Sequence, residues 1–237
     1  MKLISINMKI PIATLAFTIA WISVLAQHYE TDFVVGGPED IEDEQRINIF
    51  ILSDGYQAAD EGLFLGKVQM LTTELFGGNS TPFDIYGEYF NVYRIFVPSA
   101  DPGALHPCLG CSGNPESSCT AYNGISTAFG STYDTPDPDG NGFHRLLCAD
   151  ATLVNDYITN GALSNHITSS NVTYTTFVLV NSAEQALGLT DFYQWAGCGN
   201  MTDEIATFSG GYSPPENMVK GAVHEFGHTF GFIGLTR

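Results

Sequence analysis

The strongest constraint on how this chain can fold lies near its C-terminus, where Ser213-Pro214-Pro215-Glu216 opens a segment of helical apolar spacing that runs to Gly231. Serine at the N-cap, proline at the first helical position and glutamate at the third make a capping box, so the pattern predicts a helix beginning near Pro214. On a helical wheel Val219, Ala222, Phe226 and Phe230 share one side, with Val223 at its margin, while His224, Glu225, His228 and Gly221 share the other. One face must pack on a core and the other must look into a cleft. Gly231 then offers a natural stop.

Such a helix needs a layer to lie on, and the chain supplies strands. Ile47-Asn48-Ile49-Phe50-Ile51-Leu52-Ser53 is an apolar run of strand length that reads as a buried sheet strand. The β-branched and aromatic stretches Tyr89 to Val97 and Tyr174 to Val180 belong to the same sheet. Between the first two strands, Leu63, Val68, Leu71 and Leu75 predict a helix over Ala58 to Phe76 with Gly77-Gly78 as its stop. A shorter helix is expected from Leu146 through Ile158. Glu30 to Gln45 is a polar, acidic lead, the Gly, Pro, Ser and Asp-rich stretch 98 to 142 reads as a long loop or excursion, and Ala183 to Tyr212 as irregular. Strands alternating with helices, with no repeat and no linker, predict one α/β domain.

The first 26 residues stand apart. Lys2 and Lys9 precede an apolar run from Ile10 to Leu25 ending in Val24-Leu25-Ala26, the layout of a secretory signal peptide cut before Gln27; an uncleaved anchor is the alternative. The mature protein is then secreted, extracellular or periplasmic, and residues 27 to 237 form the domain. Removing Lys2 and Lys9 leaves six basic residues against 26 acidic ones, a formal charge of about −20. Such a surface repels phosphate backbones and anionic lipid, so neither nucleic acid nor a membrane surface is expected as a partner. Cys108, Cys111, Cys119, Cys148 and Cys198 all lie in the exported part, where disulfides are expected in preference to a zinc knuckle at the lone CxxC. Asn79, Asn171 and Asn200 begin glycosylation sequons.

The chemistry concentrates on the last helix. Residues four apart share a helix face, so His224 and His228 can hold one zinc ion while Glu225 reaches the water that zinc activates. The spacing HExxH thus predicts a metallopeptidase site in which Glu225 is the general base. A catalytic zinc takes a third protein ligand, and His106, His144, His166 and Asp54 have no spacing that brings them to His228. Asp54 in particular is read as part of an Asp-Gly turn. Asp137-Pro138-Asp139-Gly140-Asn141-Gly142 alternates oxygen donors as a calcium loop would, but Cys148 stands where a bidentate glutamate belongs, so an acidic turn is the simpler account of a potential structural Ca2+ site. No GxSxG, phosphate loop or dinucleotide fingerprint occurs.

Over Val223 to Gly231 the chain resembles the secreted zinc metallopeptidases grouped with bacterial IgA peptidase. The resemblance extends to Asn48 through Tyr56, to Pro82-Phe83 with Tyr86, to Phe90 through Ile95, to Arg145-Leu146 and to Val178 through Ser182, in the family's usual order. It implies a zincin-like α/β domain with a mixed, twisted sheet, zinc on His224 and His228, Glu225 as general base, and a peptide or protein as substrate. After Gly231 the pattern departs. Phe232 stands where the family has glycine, Leu235 where it has the aspartate that completes the zinc site, and Thr236-Arg237 where it has Glu-Tyr. A leucine cannot ligate zinc, so the third ligand stays unassigned. The expectation is a clipped or frame-shifted reading of a longer gene, with a secreted zinc endopeptidase as its function. The alternative is a catalytically inactive, metal-poor relative serving as an extracellular binding protein.

Overall fold

The computed structural model describes residues 31–35, 45–77, 83–105, 124–136, 144–160, 173–182, 197–200, 204–211 and 216–229. Its centre is the apolar run foreseen in the sequence, strand β2 (Ile47–Asp54), preceded by β1 (Thr31–Val35) and followed by α1 (Glu61–Phe76) and β3 (Phe90–Ile95). A hairpin of β4 (Thr132–Pro136) and β5 (His144–Cys148), helix α2 (Ala151–Asn160), strands β6 (Thr173–Val180), β7 (Cys198–Asn200) and β8 (Ile205–Ser209), and helix α3 (Glu216–Thr229) complete the order. Six strands form one mixed sheet in the order β1-β3-β2-β6-β8-β7, and β4-β5 stands apart. The inner strands β3, β2, β6 and β8 are parallel, while β1 and β7 close the two edges antiparallel.

Alternation along the inner strands builds a core on each face of the sheet. From β2, Ile49 and Ile51 pack with Phe64, Val68, Leu71 and Leu75 of α1 and with Met218, Val219, Ala222 and Phe226 of α3. Phe50 and Leu52 pack on the opposite face with Leu147 of β5 and with Val154 and Ile158 of α2. Both faces being covered, β2 is continuously apolar from Ile49 to Leu52, as parallel strands in α/β proteins are. Near its start, Asn48 sits opposite Asn91 of β3 and accepts a 3.1 Å hydrogen bond from that side chain. Arg46 donates to the Asn91 carbonyl at 2.7 Å, and Asn48 donates to the carbonyl of Thr173 on β6, so these buried amides are satisfied.

The structure corrects several sequence expectations. The acidic lead contains β1, which pairs with β3 from Thr31 to Val35. Leu63 is 48% exposed, and Phe64 takes the core position on α1 instead. Residues 98 to 142 are not wholly loop, because β4 lies among them. The stretch read as a helix from Leu146 begins as strand β5, and α2 starts later because Asp150 accepts hydrogen bonds from the amides of Thr152 and Leu153 at 2.8 and 3.3 Å. The stretch 183 to 212 holds β7 and β8, whose five residues are all buried. Tyr89 lies in a short 3-10 turn, Gly87–Tyr89, and the strand begins at Phe90. The signal segment, the CxxC and Cys119, the candidate calcium loop, His106, His166, the proposed cap at Ser213 and everything after Thr229 lie outside the described residues, as do the sequon asparagines Asn79 and Asn171. Among the described residues no helix is long and apolar enough to cross a membrane.

Candidate metal centre

In an open α/β sheet, ligands usually enter where the chain reverses its direction of winding, beyond the C-terminal ends of neighbouring strands. Here that place lies between β2 and β6, since the chain passes from β2 outward to β3 on one side and from β6 outward to β8 on the other. The crevice is plugged. Asp54, wholly buried at the end of β2, accepts hydrogen bonds from Ser99 Oγ (3.2 Å), Thr127 Oγ1 (2.9 Å), the Phe129 amide (3.0 Å) and the Ser131 amide (3.1 Å). The next residue, Gly55, has φ +68°, and a Cβ there would stand 2.8 Å from the carbonyl carbon of Gly103. Asp54 is therefore neither a metal ligand nor only a turn residue. It is the hub that ties two loops to the sheet, a role that its isolated Asp-Gly spelling did not reveal.

The titratable cluster lies instead on α3. Phe226 sets the rotation of this helix, with its ring centroid 5.1 Å from Phe83, 5.6 Å from Phe177 and 6.5 Å from Phe90. Met218, Val219 and Ala222 are buried on the same side, and Val223 is half-buried at its margin, as the helical wheel requires. With that face fixed, His224 points to the exposed side and His228 is half-buried beside it. Their Nε2 atoms are 3.1 Å apart and the rings are nearly perpendicular, at 82°. One ligand atom each from His224, Glu225 and His228 can be chosen within 4.8 Å of one another, and among the described residues this is the one such group.

Glu225 departs from the expected open cleft. It is only 5% exposed, because β7 lies across it. A side chain at Gly197 would reach within 2.5 Å of the Glu225 carboxyl carbon, and one at Gly199 would reach 2.7 Å from His228 Cβ. Burial pushes the Glu225 carboxyl up to about 8, against which a hydrogen bond from the Gly199 backbone amide acts in the opposite direction. Burial also lowers His224, and the neighbouring His228 adds to the effect, so the neutral imidazole that can donate a lone pair is favoured.

These donors suit a divalent ion of zinc's preference. Two imidazoles bound at zinc distances in tetrahedral geometry would have nitrogens about 3.3 Å apart, close to the spacing between His224 and His228. The residues reasoning from sequence missed are Gly197, Cys198 and Gly199. Cys198 forms a disulfide with Cys148, across a Cα separation of 5.2 Å. The signal was present as Gly197-Cys198-Gly199-Asn200, a cysteine between two residues without side chains, inside a stretch read as irregular. The side chain of His144, on β5, is not among those described. Compared with models of known protein families and with curated proteins, the chain matches none.

Proposed function

We propose that this protein is a zincin-like, zinc-dependent endopeptidase that works outside the cytoplasm. The observation that carries the reading is the convergence of His224, Glu225 and His228 on one face of α3, beneath the edge strand of the sheet. His224 and His228 would hold the ion, which when bound supplies Lewis acidity toward water and a peptide carbonyl. Glu225 takes up a proton from the attacking water and delivers it to the departing amine. Its carboxyl lies within reach of both imidazoles and is the described group placed to carry that proton. Phe226 and its aromatic neighbours keep the helix in the rotation that presents all three groups. The disulfide and the apolar N-terminal segment support an exported protein.

A second reading is a metal-poor extracellular binding protein without catalysis. It is favoured by one observation: the described donors are two imidazoles and one carboxylate, and Leu235 stands where the resembling family has its third ligand. Zinc content and casein hydrolysis by the purified protein separate the two. Stoichiometric zinc with chelator-sensitive cleavage sinks the binding reading, and absence of both sinks the peptidase. In the peptidase, Glu225→Gln keeps zinc while its rate falls by roughly a thousandfold, the scale of losing a general base.

A further inference from the structure

Strand β7 is too short to hold itself in place. Its three residues pair only with β8, Cys198 opposite Thr207, Gly199 opposite Ala206 and Asn200 opposite Ile205. Yet it must stay within contact distance of α3, where the Gly199 amide meets the Glu225 carboxyl. Two further ties converge on its first residue. Cys198 is bonded to Cys148 at the end of β5, and the amide of the following residue, Ala149, donates a 3.2 Å hydrogen bond to Oγ1 of Thr207, the residue opposite Cys198. The hairpin, β8 and β7 are thereby joined at one point. The free space between β7 and α3 is closed by the absence of side chains at Gly197 and Gly199.

The geometry points to the Cys148–Cys198 disulfide and the Gly197/Gly199 pair as the positioning device of the site, clamping β7 so that the Gly199 N–H holds the Glu225 carboxyl beside the two histidines. This rests on the peptidase reading for its catalytic consequence, but the clamp itself is a property of the metal-free protein. Both cysteines are half-buried, so a reductant can reach the bond. Opening it leaves the β2-centred core untouched, since neither cysteine belongs to the two apolar clusters. Oxidising conditions outside the cytoplasm close the clamp, and reducing conditions release the carboxyl from its fixed donor.

The test compares the full chain with Cys148→Ser/Cys198→Ser and, separately, with Gly199→Ala, which keeps the disulfide. In metal-free protein, hydrogen exchange at the Gly199 amide is expected to accelerate at least about tenfold in the double variant, while exchange at Phe177 on β6 stays as in the parent. Equal Gly199 exchange overturns the clamp whether or not peptides are cleaved. In zinc-loaded protein, kcat on a peptide substrate is expected to fall roughly 10- to 100-fold in both variants with KM within about threefold, the pattern of a misplaced reacting group. Zinc stoichiometry is expected to be unchanged in the double variant, whose substitutions touch neither histidine; in Gly199→Ala the added methyl presses on His228, so there kcat is read per bound zinc. A loss confined to KM, or to zinc content, overturns the positioning role. If the double variant fails to fold, Gly199→Ala and thiol reduction of the folded parent give the same two readouts, with reoxidation restoring kcat. A parent that binds zinc but cleaves no peptide defeats the peptidase reading and leaves the exchange measurement to decide the clamp.

Discussion

Two buried carboxyls, Asp54 and Glu225, show how local surroundings decide what the same chemistry becomes. Asp54 has a donor set that fills both oxygens: each oxygen accepts one backbone amide and one hydroxyl. Asn cannot replace it, because whichever way the amide is turned its NH2 faces the N–H of Phe129 or Ser131. Asp54→Asn is therefore expected to cost about 2 to 3 kcal/mol in urea unfolding, the scale of hydrogen bonds to a charged group left broken, and a near-neutral result would show that the hub is dispensable. Glu225 has burial and one backbone amide, and its carboxyl rises to about 8 from 4.5. In the metal-free protein the native state then keeps a proton that the unfolded chain has lost, so stability falls as pH rises from about 4.5 to about 8 and levels off above. Glu225→Gln has no proton to lose. Melting in the presence of chelator from pH 5 to pH 9 should show a shallower decline for the variant, and identical slopes would contradict the burial of the carboxyl.

At the scale of elements, legibility followed length and periodicity. The run Ile47 to Ser53 and the helix ending before Gly77 declared themselves because each carries enough apolar residues in one period to identify its type. The histidine helix was legible down to its buried and open faces, except that Glu225 and Gly221 proved covered. What covers Glu225, β7 with Gly197 before it, has two glycines among the four described residues 197–200, and no apolar pattern a strand of three could display. The β5 to α2 boundary was misread because Leu146 and Leu147 fit either period, and only the capping carboxyl decides between them. Asp150 lies at the surface, yet it satisfies two otherwise orphaned amides at the start of α2. Asp150→Ala is expected to cost about 1 kcal/mol, read as a lower urea midpoint with unchanged m-value. An unchanged midpoint would mean that packing of Val154 and Ile158 alone fixes where the helix begins.

At the scale of the whole molecule, the same helix that carries His224 and His228 also buries Met218, Val219, Ala222 and Phe226 in the core shared with α1 and the sheet. If an ion is held by His224 and His228 as proposed, its binding is expected to stabilise the fold as a whole and not a detachable loop. With free zinc about 100-fold above its dissociation constant the gain is about 2.7 kcal/mol, or roughly 5 to 10 °C in Tm for a chain of this size. The acidic composition raises a competing explanation, since a formal charge of −18 attracts any divalent cation to the surface. The two differ in what they require. Surface attraction is shared by magnesium and calcium, weakens in 0.5 M salt by screening over roughly 4 Å, and does not depend on imidazole. Site binding prefers zinc, because imidazole nitrogen is a poor ligand for the harder ions. His224→Ala and His228→Ala should each abolish the zinc-specific rise in Tm while leaving the response to magnesium as it was. A zinc shift that survives both substitutions would locate the ion elsewhere on the acidic surface and remove the metal from α3.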